Sequence, residues 1–221
     1  MHPLLLSTLT TTTTMVLKIY LARHGQDEDN AAGILNGHRN QPLTKLGEEQ
    51  AHSVAAKIQS QHLQFDKIYA SPLQRAFKTA EILASGQQQQ QSVEVMDLLI
   101  ERDFGIMAGV PTKEIKERCQ GNILQTETIS YFLSPEGAET FPDLLERGHK
   151  VIADIQSKHK EGSVLLVTHG DFGKMLYAAY YKQDWMDVLN QFHFGNSEVL
   201  LLSEESSPSE SHVFQIQQYN S

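Results

Sequence analysis

The sequence predicts an α/β protein, a three-layer α/β/α sandwich around a mainly parallel sheet. Three observations predict it. Short β-prone apolar runs alternate along the chain with stretches whose apolar residues recur at helical spacing. Capping residues stand where those helical stretches begin. The 221 residues suffice for one good-sized core, and alternating strands and helices bury such a core as helices on both faces of a sheet.

Residues 1–14 read as a disordered tail, and a single domain is assigned to residues 15–221. The tail holds Leu4, Leu5 and Leu6 before a threonine run from Thr10 to Thr14, too short and lacking the basic start of a signal peptide. Residues 16–22 form a mostly apolar run, expected as a buried strand. From Thr44 to about Ser60, Ala51, Val54, Ala55 and Ile58 fall on one helical face, with Thr44 as N-cap and Glu48 and Glu49 near the positive end of the dipole. Residues 67–70 are a brief strand. Pro72 is placed to open the next helix, which runs to about Ala84. Residues 87–91 are all glutamine and read as a surface loop. A third strand is expected at 93–96, a long helix at 142–158 and a fourth strand at 163–168. Asp171 is expected to cap a helix carrying Phe172, Met175, Leu176 and Ala179 on one face. Residues 197–202 and 212–217 read as two closing strands joined by a turn at 206–211.

Composition excludes several classes of function. A formal net charge of -9 is unsuited to coating nucleic acid or anionic membrane. The single cysteine, Cys119, forbids an intramolecular disulfide, and no apolar run approaches the ~20 residues of a membrane span. A cytoplasmic protein is therefore expected. The remaining histidines show no metal-ligand spacing, so neither metal nor cofactor is implied. The oligomeric state is open, a homodimer being one option.

The strand map brings chemistry to one edge. Arg23 and His24 fall just past the first strand, Arg75 in the first turn of the helix after the second, Glu101 after the third and His169 just past the fourth. Ligands of open α/β sheets bind outside the carboxyl ends of the strands. Two arginines, two histidines and a carboxylate suit a phosphate ester. Arginine forks match phosphate oxygens, a neutral histidine can attack phosphorus, a protonated one can stabilise charge, and a carboxyl group can move the proton.

These residues also carry a resemblance. Arg23-His24-Gly25 after an apolar strand resembles the signature of the histidine phosphatase superfamily, the phosphoglycerate mutase-like family. It is followed in register by Asn30, Asn36-Gly37, Pro42-Leu43-Thr44 and Gly47. Further blocks are Ser71-Pro72-Leu73-Gln74-Arg75-Ala76 with Thr79-Ala80, Leu99-Ile100-Glu101-Arg102-Asp103-Phe104-Gly105, Val167-Thr168-His169-Gly170, and Asn196-Ser197. The resemblance covers about residues 16–203. It implies a phosphoglycerate mutase-like fold with His24 as nucleophile. It makes Arg23, Asn30, Arg75 and His169 the holders of the phosphoryl oxygens, helped by the Gly170 amide. Glu101 becomes the proton donor and later the base, and Asn36 and Gly37 contact the rest of the substrate.

There are departures from the family pattern. Gly105-Ile106-Met107-Ala108-Gly109 stands where relatives often carry Gly-x-Trp-Glu-Gly, and Gln26-Asp27 replaces Glu-Thr or Glu-Ser. Asp27 would add negative charge near the phosphate. The long basic, proline-rich insert of glycolytic mutases has no counterpart: residues 110–140 offer only Lys113, Lys116 and Arg118 as cations. The expected activity is metal-independent hydrolysis of a small phosphorylated metabolite through phosphohistidine. Mutase-type transfer, a phosphoprotein substrate and a non-catalytic phospho-ligand module are the alternatives. Asp171 is the rival for the acid.

Overall fold

Side-chain alternation along the strands sets the layers. In the computed structural model, which describes residues 16–87, 91–127 and 129–214, strand β1 (Leu17–Arg23) turns Ile19 and Leu21 to one face and Tyr20 and Ala22 to the other. After a short helix α1 (Glu28–Ala32) come α2 (Lys45–Ser60), β2 (Lys67–Ala70), α3 (Gln74–Ser85) and β3 (Val93–Val95). A small excursion follows, with α4 (Ile115–Cys119) and the antiparallel hairpin β4 (Ile123–Gln125) and β5 (Ser130–Phe132). The chain returns through α5 (Phe141–Lys158), β6 (Gly162–Thr168), α6 (Gly170–Tyr181), α7 (Trp185–Gln191), β7 (Val199–Leu202) and β8 (His212–Phe214).

The main sheet has the order β3-β2-β6-β1-β7-β8. Its first four strands are parallel, and β7 and β8 close it antiparallel. Helices α2 and α3 cover the face that carries Tyr20, Ile68 and Leu165. Helices α5, α6 and α7 cover the face that carries Ile19, Val164 and Leu200. Burial on both faces explains why β6 is apolar without interruption from Val164 to Val167. A smaller cluster of Phe104, Met107, Val110, Ile115 and Phe132 forms under the excursion. The predicted three-layer sandwich is the observed fold.

Several local expectations are corrected. Arg23 is the last residue of β1, paired with Thr168, and does not lie beyond it. Pro72 does not open α3: Ser71 to Leu73 make an extended turn in which the Ser71 hydroxyl accepts from the Leu73 amide. The helix begins at Gln74, whose amide is capped by Asn40 Oδ1 at 2.7 Å. Asp171 does not cap α6, where His169 holds the cap position, because its carboxylate is drawn to Arg102. Ser197 precedes β7 and adopts a left-handed conformation, φ 58°, with its amide donating to the carbonyls of Arg23 and His24. Gln87 is buried, not part of a surface loop, because its side-chain oxygen accepts from the Phe65 amide. Gln88 to Gln90, the 1–14 tail and the end of the predicted 212–217 strand lie outside the described residues. Thr44 caps α2 as expected, accepting from the Gly47 amide.

Candidate active site

Strand register explains why distant residues meet. Arg23 pairs with Thr168 and Ala70 with Val167, so His24, His169 and Ser71 leave adjacent parallel strands side by side. Backbone bonds continue the ladder past the strand ends, from His24 N to Thr168 O and from Ser71 N to Val167 O, each 3.0 Å. The two imidazoles stand with ring centroids 5.1 Å apart, His24 1% and His169 0% exposed.

His24 is held in one protonation form. Its Nδ1 donates to the Gly25 carbonyl at 2.6 Å, leaving Nε2 with its lone pair, which accepts from Arg75 Nε at 3.3 Å. The turn behind it is made by glycine. A Cβ on Gly25 would sit 2.3 Å from the Gly47 carbonyl oxygen, and one on Gly47 would sit 2.0 Å from the Gln26 oxygen. Only two glycines let α2 press against this loop. Burial first, then Arg75 and Arg23, hold the His24 pKa well below the usual range. Burial first, then Arg75, His24 and Arg23, do the same for His169. His169 Nε2 meets the Ser71 hydroxyl at 2.7 Å, while its buried Nδ1 has no partner among the described residues. In the ligand-free protein both rings are expected to stay neutral as pH falls through 6.5. An imidazole NMR titration checks this, and inflections near 6.5 for both rings would contradict it.

Arg75 is buried with Asp27. Its Nε lies 3.1 Å from Asp27 Oδ2, Nη1 donates to the Arg39 carbonyl and Nη2 to that of Gly37. One N–H on each terminal nitrogen is left over, enough for a phosphate oxygen. Asp27 also caps α1 and accepts from Asn36 Nδ2 at 2.7 Å. Its charge is therefore committed to Arg75 and does not stand free in the pocket, which answers the concern the sequence raised. Burial nevertheless pushes the Asp27 pKa up, against the pull of Arg75. The Asn36 carbonyl oxygen accepts from the Gly37 amide, so this side chain spends both ends inside the loop. Gly37, at φ 49°, has no room for a side chain: a Cβ there would sit 2.9 Å from the Phe104 ring.

Glu101 caps α6 from another segment. Its carboxylate accepts from the amides of Arg102 at 2.8 Å, Phe172 at 3.0 Å and Asp171 at 3.3 Å. Burial first, then the Asp171 charge, raise its pKa against those bonds. Asp171 accepts from Arg102 Nε at 2.9 Å, and the Arg102 guanidinium carbon lies 4.1 Å from the Phe132 ring centroid and 4.3 Å from that of Phe141. His38, which follows the Asn36-Gly37 pair, donates from Nε2 to the Glu101 backbone carbonyl at 2.8 Å.

A cavity of about 400 Å³ opens beside Glu101, Arg102 and Asp171. Arg23, Asn30, Asn36, Glu101 and Gly170 line it, whereas Arg75, Gly37 and the two histidines lie outside its lining. Arg23 Nη1 donates to the Phe194 carbonyl at 2.7 Å, and its Nε has no partner among the described residues. Asn30 Oδ1 accepts from Asn196 Nδ2, which turns the Asn30 amide nitrogen away as a free donor. Among the described residues nothing accepts from the Gly170 amide. A Cβ on Gly170 would come 3.4 Å from the Arg23 guanidinium carbon. Sequence reasoning missed Lys174, Tyr131 and His193 on the cavity wall, and Asp27 and Arg102 as charge partners. Lys174 had left a signal, since it and Asp171 are the only charged residues of α6. No group of three or more His, Cys, Asp or Glu side chains among the described residues is arranged to hold a metal ion.

Comparison with known proteins gives concordant results. The family model for the histidine phosphatase superfamily (branch 1) matches residues 19–215. A metal-independent phosphoserine phosphatase of Arabidopsis thaliana is 32% identical over 169 residues, 73% of this chain and 68% of the relative. A 2,3-bisphosphoglycerate-dependent phosphoglycerate mutase of Bartonella henselae is 28% identical over 177 residues, 78% of this chain and 85% of the relative. The solved mycobacterial glucosyl-3-phosphoglycerate phosphatase in complex with VO3 superposes with a TM-score of 0.71 at 25% identity, covering 83% of this chain and 91% of that one.

Proposed function

Since the chain belongs to the histidine phosphatase superfamily, we propose that it hydrolyses small phosphate monoesters, without a metal, through a phosphorylated His24. The observation that carries this reading is the His24 ring, whose Nδ1–H is fixed on the Gly25 carbonyl so that Nε2 keeps its lone pair, directed at Arg75, as the nucleophile. Nε2 gives up or shares its bond to Arg75 as it attacks phosphorus in line. The P–O bond to the leaving group breaks, and Glu101 supplies the proton to that oxygen. Its raised pKa suits a group that must hold a proton before the reaction. Glu101 then takes a proton from the water that attacks phosphohistidine, releasing phosphate and restoring His24.

Arg23, Arg75, Asn30, His169 and the Gly170 amide hold the phosphoryl oxygens. The unpartnered Arg23 Nε and His169 Nδ1 are available for that task. A bound dianion raises the His169 pKa and so favours the protonated ring that stabilises the transition state. Asn36 and Gly37 bear on the substrate through the loop that carries them, with Gly37 holding Arg75 by its carbonyl. Hydrolysis is preferred over mutase transfer because, of the cations in residues 110–140, only Lys113 lines the cavity, and Arg118 is paired to Glu114. A screen of phosphate monoesters read by phosphate release tests the reading. Turnover is expected to persist after exhaustive chelation. Dependence on added divalent metal, or release from no ester tested, would overturn it.

A further inference from the structure

Lys174 presents a buried positive charge that no carboxylate among the described residues pairs. It is 3% exposed, on the inner face of α6, and lines the same cavity as Arg23. Its Nζ donates to the Tyr131 hydroxyl at 2.5 Å, and its other neighbours are the ring faces of Tyr131 at 5.0 Å and Phe192 at 5.6 Å. All of these are neutral. Asp171 and Glu198 act on it only at longer range: among the described residues no carboxylate comes within 4 Å of this ammonium. Asp171 is committed to Arg102, and Glu198 accepts from the Gly195 amide. Buried charges are ordinarily paired, because an uncompensated ammonium in an apolar setting is costly. Beside it, His193 lines the same cavity, both ring nitrogens without a partner among the described residues. The cavity is also lined by apolar side chains, among them Leu35, Phe104 and Ile129.

We propose that Lys174, with the Tyr131 hydroxyl and the His193 ring, forms a subsite for a carboxylate on the leaving group of the substrate. The proposal rests on the phosphatase reading for the position of the phosphoryl group, which Arg23 and Arg75 hold elsewhere in the site. One ammonium flanked by neutral donors balances a monoanion, whereas a second phosphate dianion would leave a negative charge buried against the apolar wall. The substrates favoured are thus phosphate esters of hydroxy acids. Burial lowers the Lys174 pKa to about 8, and a bound carboxylate restores the charged form.

The test uses matched pairs of ligands in the full-length protein. One pair is 3-phosphoglycerate and glycerol 3-phosphate; the other is 4-carboxyphenyl phosphate and 4-methylphenyl phosphate, which spans more of the cavity. Binding is measured calorimetrically in the His24→Ala protein, with and without Lys174→Met, and kcat/KM in proteins that retain His24. The carboxylate member of at least one pair should be preferred. Lys174→Met should reduce that preference about 10- to 100-fold, the range of a charge-assisted hydrogen bond, and Lys174→Arg should keep most of it. Because the lysine is unpaired, Lys174→Met should fold with an unchanged or higher melting temperature. No preference in either pair, no binding of any of the four esters, or a preference that survives Lys174→Met would overturn the subsite. A binding preference that Lys174→Met removes, in a protein that releases no phosphate from any ester, would support the subsite and overturn the phosphatase reading instead.

Discussion

Replacing His24 by alanine is expected to abolish turnover, with a loss on the order of 10⁴- to 10⁶-fold, the scale seen when a catalytic nucleophile is removed. The loss should fall on kcat, and no acid-labile, base-stable phosphoryl label should remain on the protein after rapid quench. The stability cost is a separate matter. Although His24 stands at a strand end, its ring is buried and accepts from Arg75. Its removal takes one partner from a buried guanidinium that still has Asp27 at 3.1 Å and two backbone carbonyls. A cost of roughly 1–3 kcal/mol follows, not unfolding. A folded His24→Ala protein, shown by circular dichroism and melting, that retained substantial activity would remove the proposed nucleophile.

Glu101→Gln is expected to slow both phosphorylation and hydrolysis of the intermediate, each by about 10²- to 10⁴-fold. The substitution is mild structurally. A glutamine carbonyl can keep the bonds from the Arg102 and Phe172 amides, while its nitrogen cannot accept from the Asp171 amide, so only the longest of the three bonds is lost. Phosphate affinity should be unchanged or higher, because no carboxylate then opposes the anion. An ester with a good leaving group needs no proton, so His24 should still become phosphorylated. The phosphoenzyme should accumulate, since activation of water has no such escape. Asp171→Asn separates the two carboxylates. Asp171 raises the Glu101 pKa, so removing its charge should lower that pKa and move the alkaline limb of kcat/KM to lower pH, with a smaller loss at the optimum. Normal turnover in Glu101→Gln alongside a dead Asp171→Asn would reverse the assignment.

The sequence alone determined the layer architecture and the edge at which chemistry gathers. Strand and helix periods are local: the uninterrupted run Val164 to Val167 and the spacing of Ala51, Val54, Ala55 and Ile58 report burial directly. Once the strands are parallel, residues at their carboxyl ends are neighbours, which is why Arg23, His24 and His169 could be grouped beforehand. Helix ends were less legible, because their orphan amides are satisfied from far away in sequence. Asn40 caps α3, and Glu101 caps α6 where Asp171 stood ready to do so. The short helix α1, the β4–β5 hairpin and α7 carry too few periods to stand out from loops.

Charge pairing was decided only by the tertiary structure. A formal charge of -9 says nothing about which arginine meets which carboxylate. Packing buries Asp27 against Arg75 and Asp171 against Arg102, and sets Lys174 on the Tyr131 hydroxyl and the Phe192 ring. The physical reason is range: strand period and turn chemistry act over a few residues, while desolvation and ion pairing depend on which surfaces are brought together and dried.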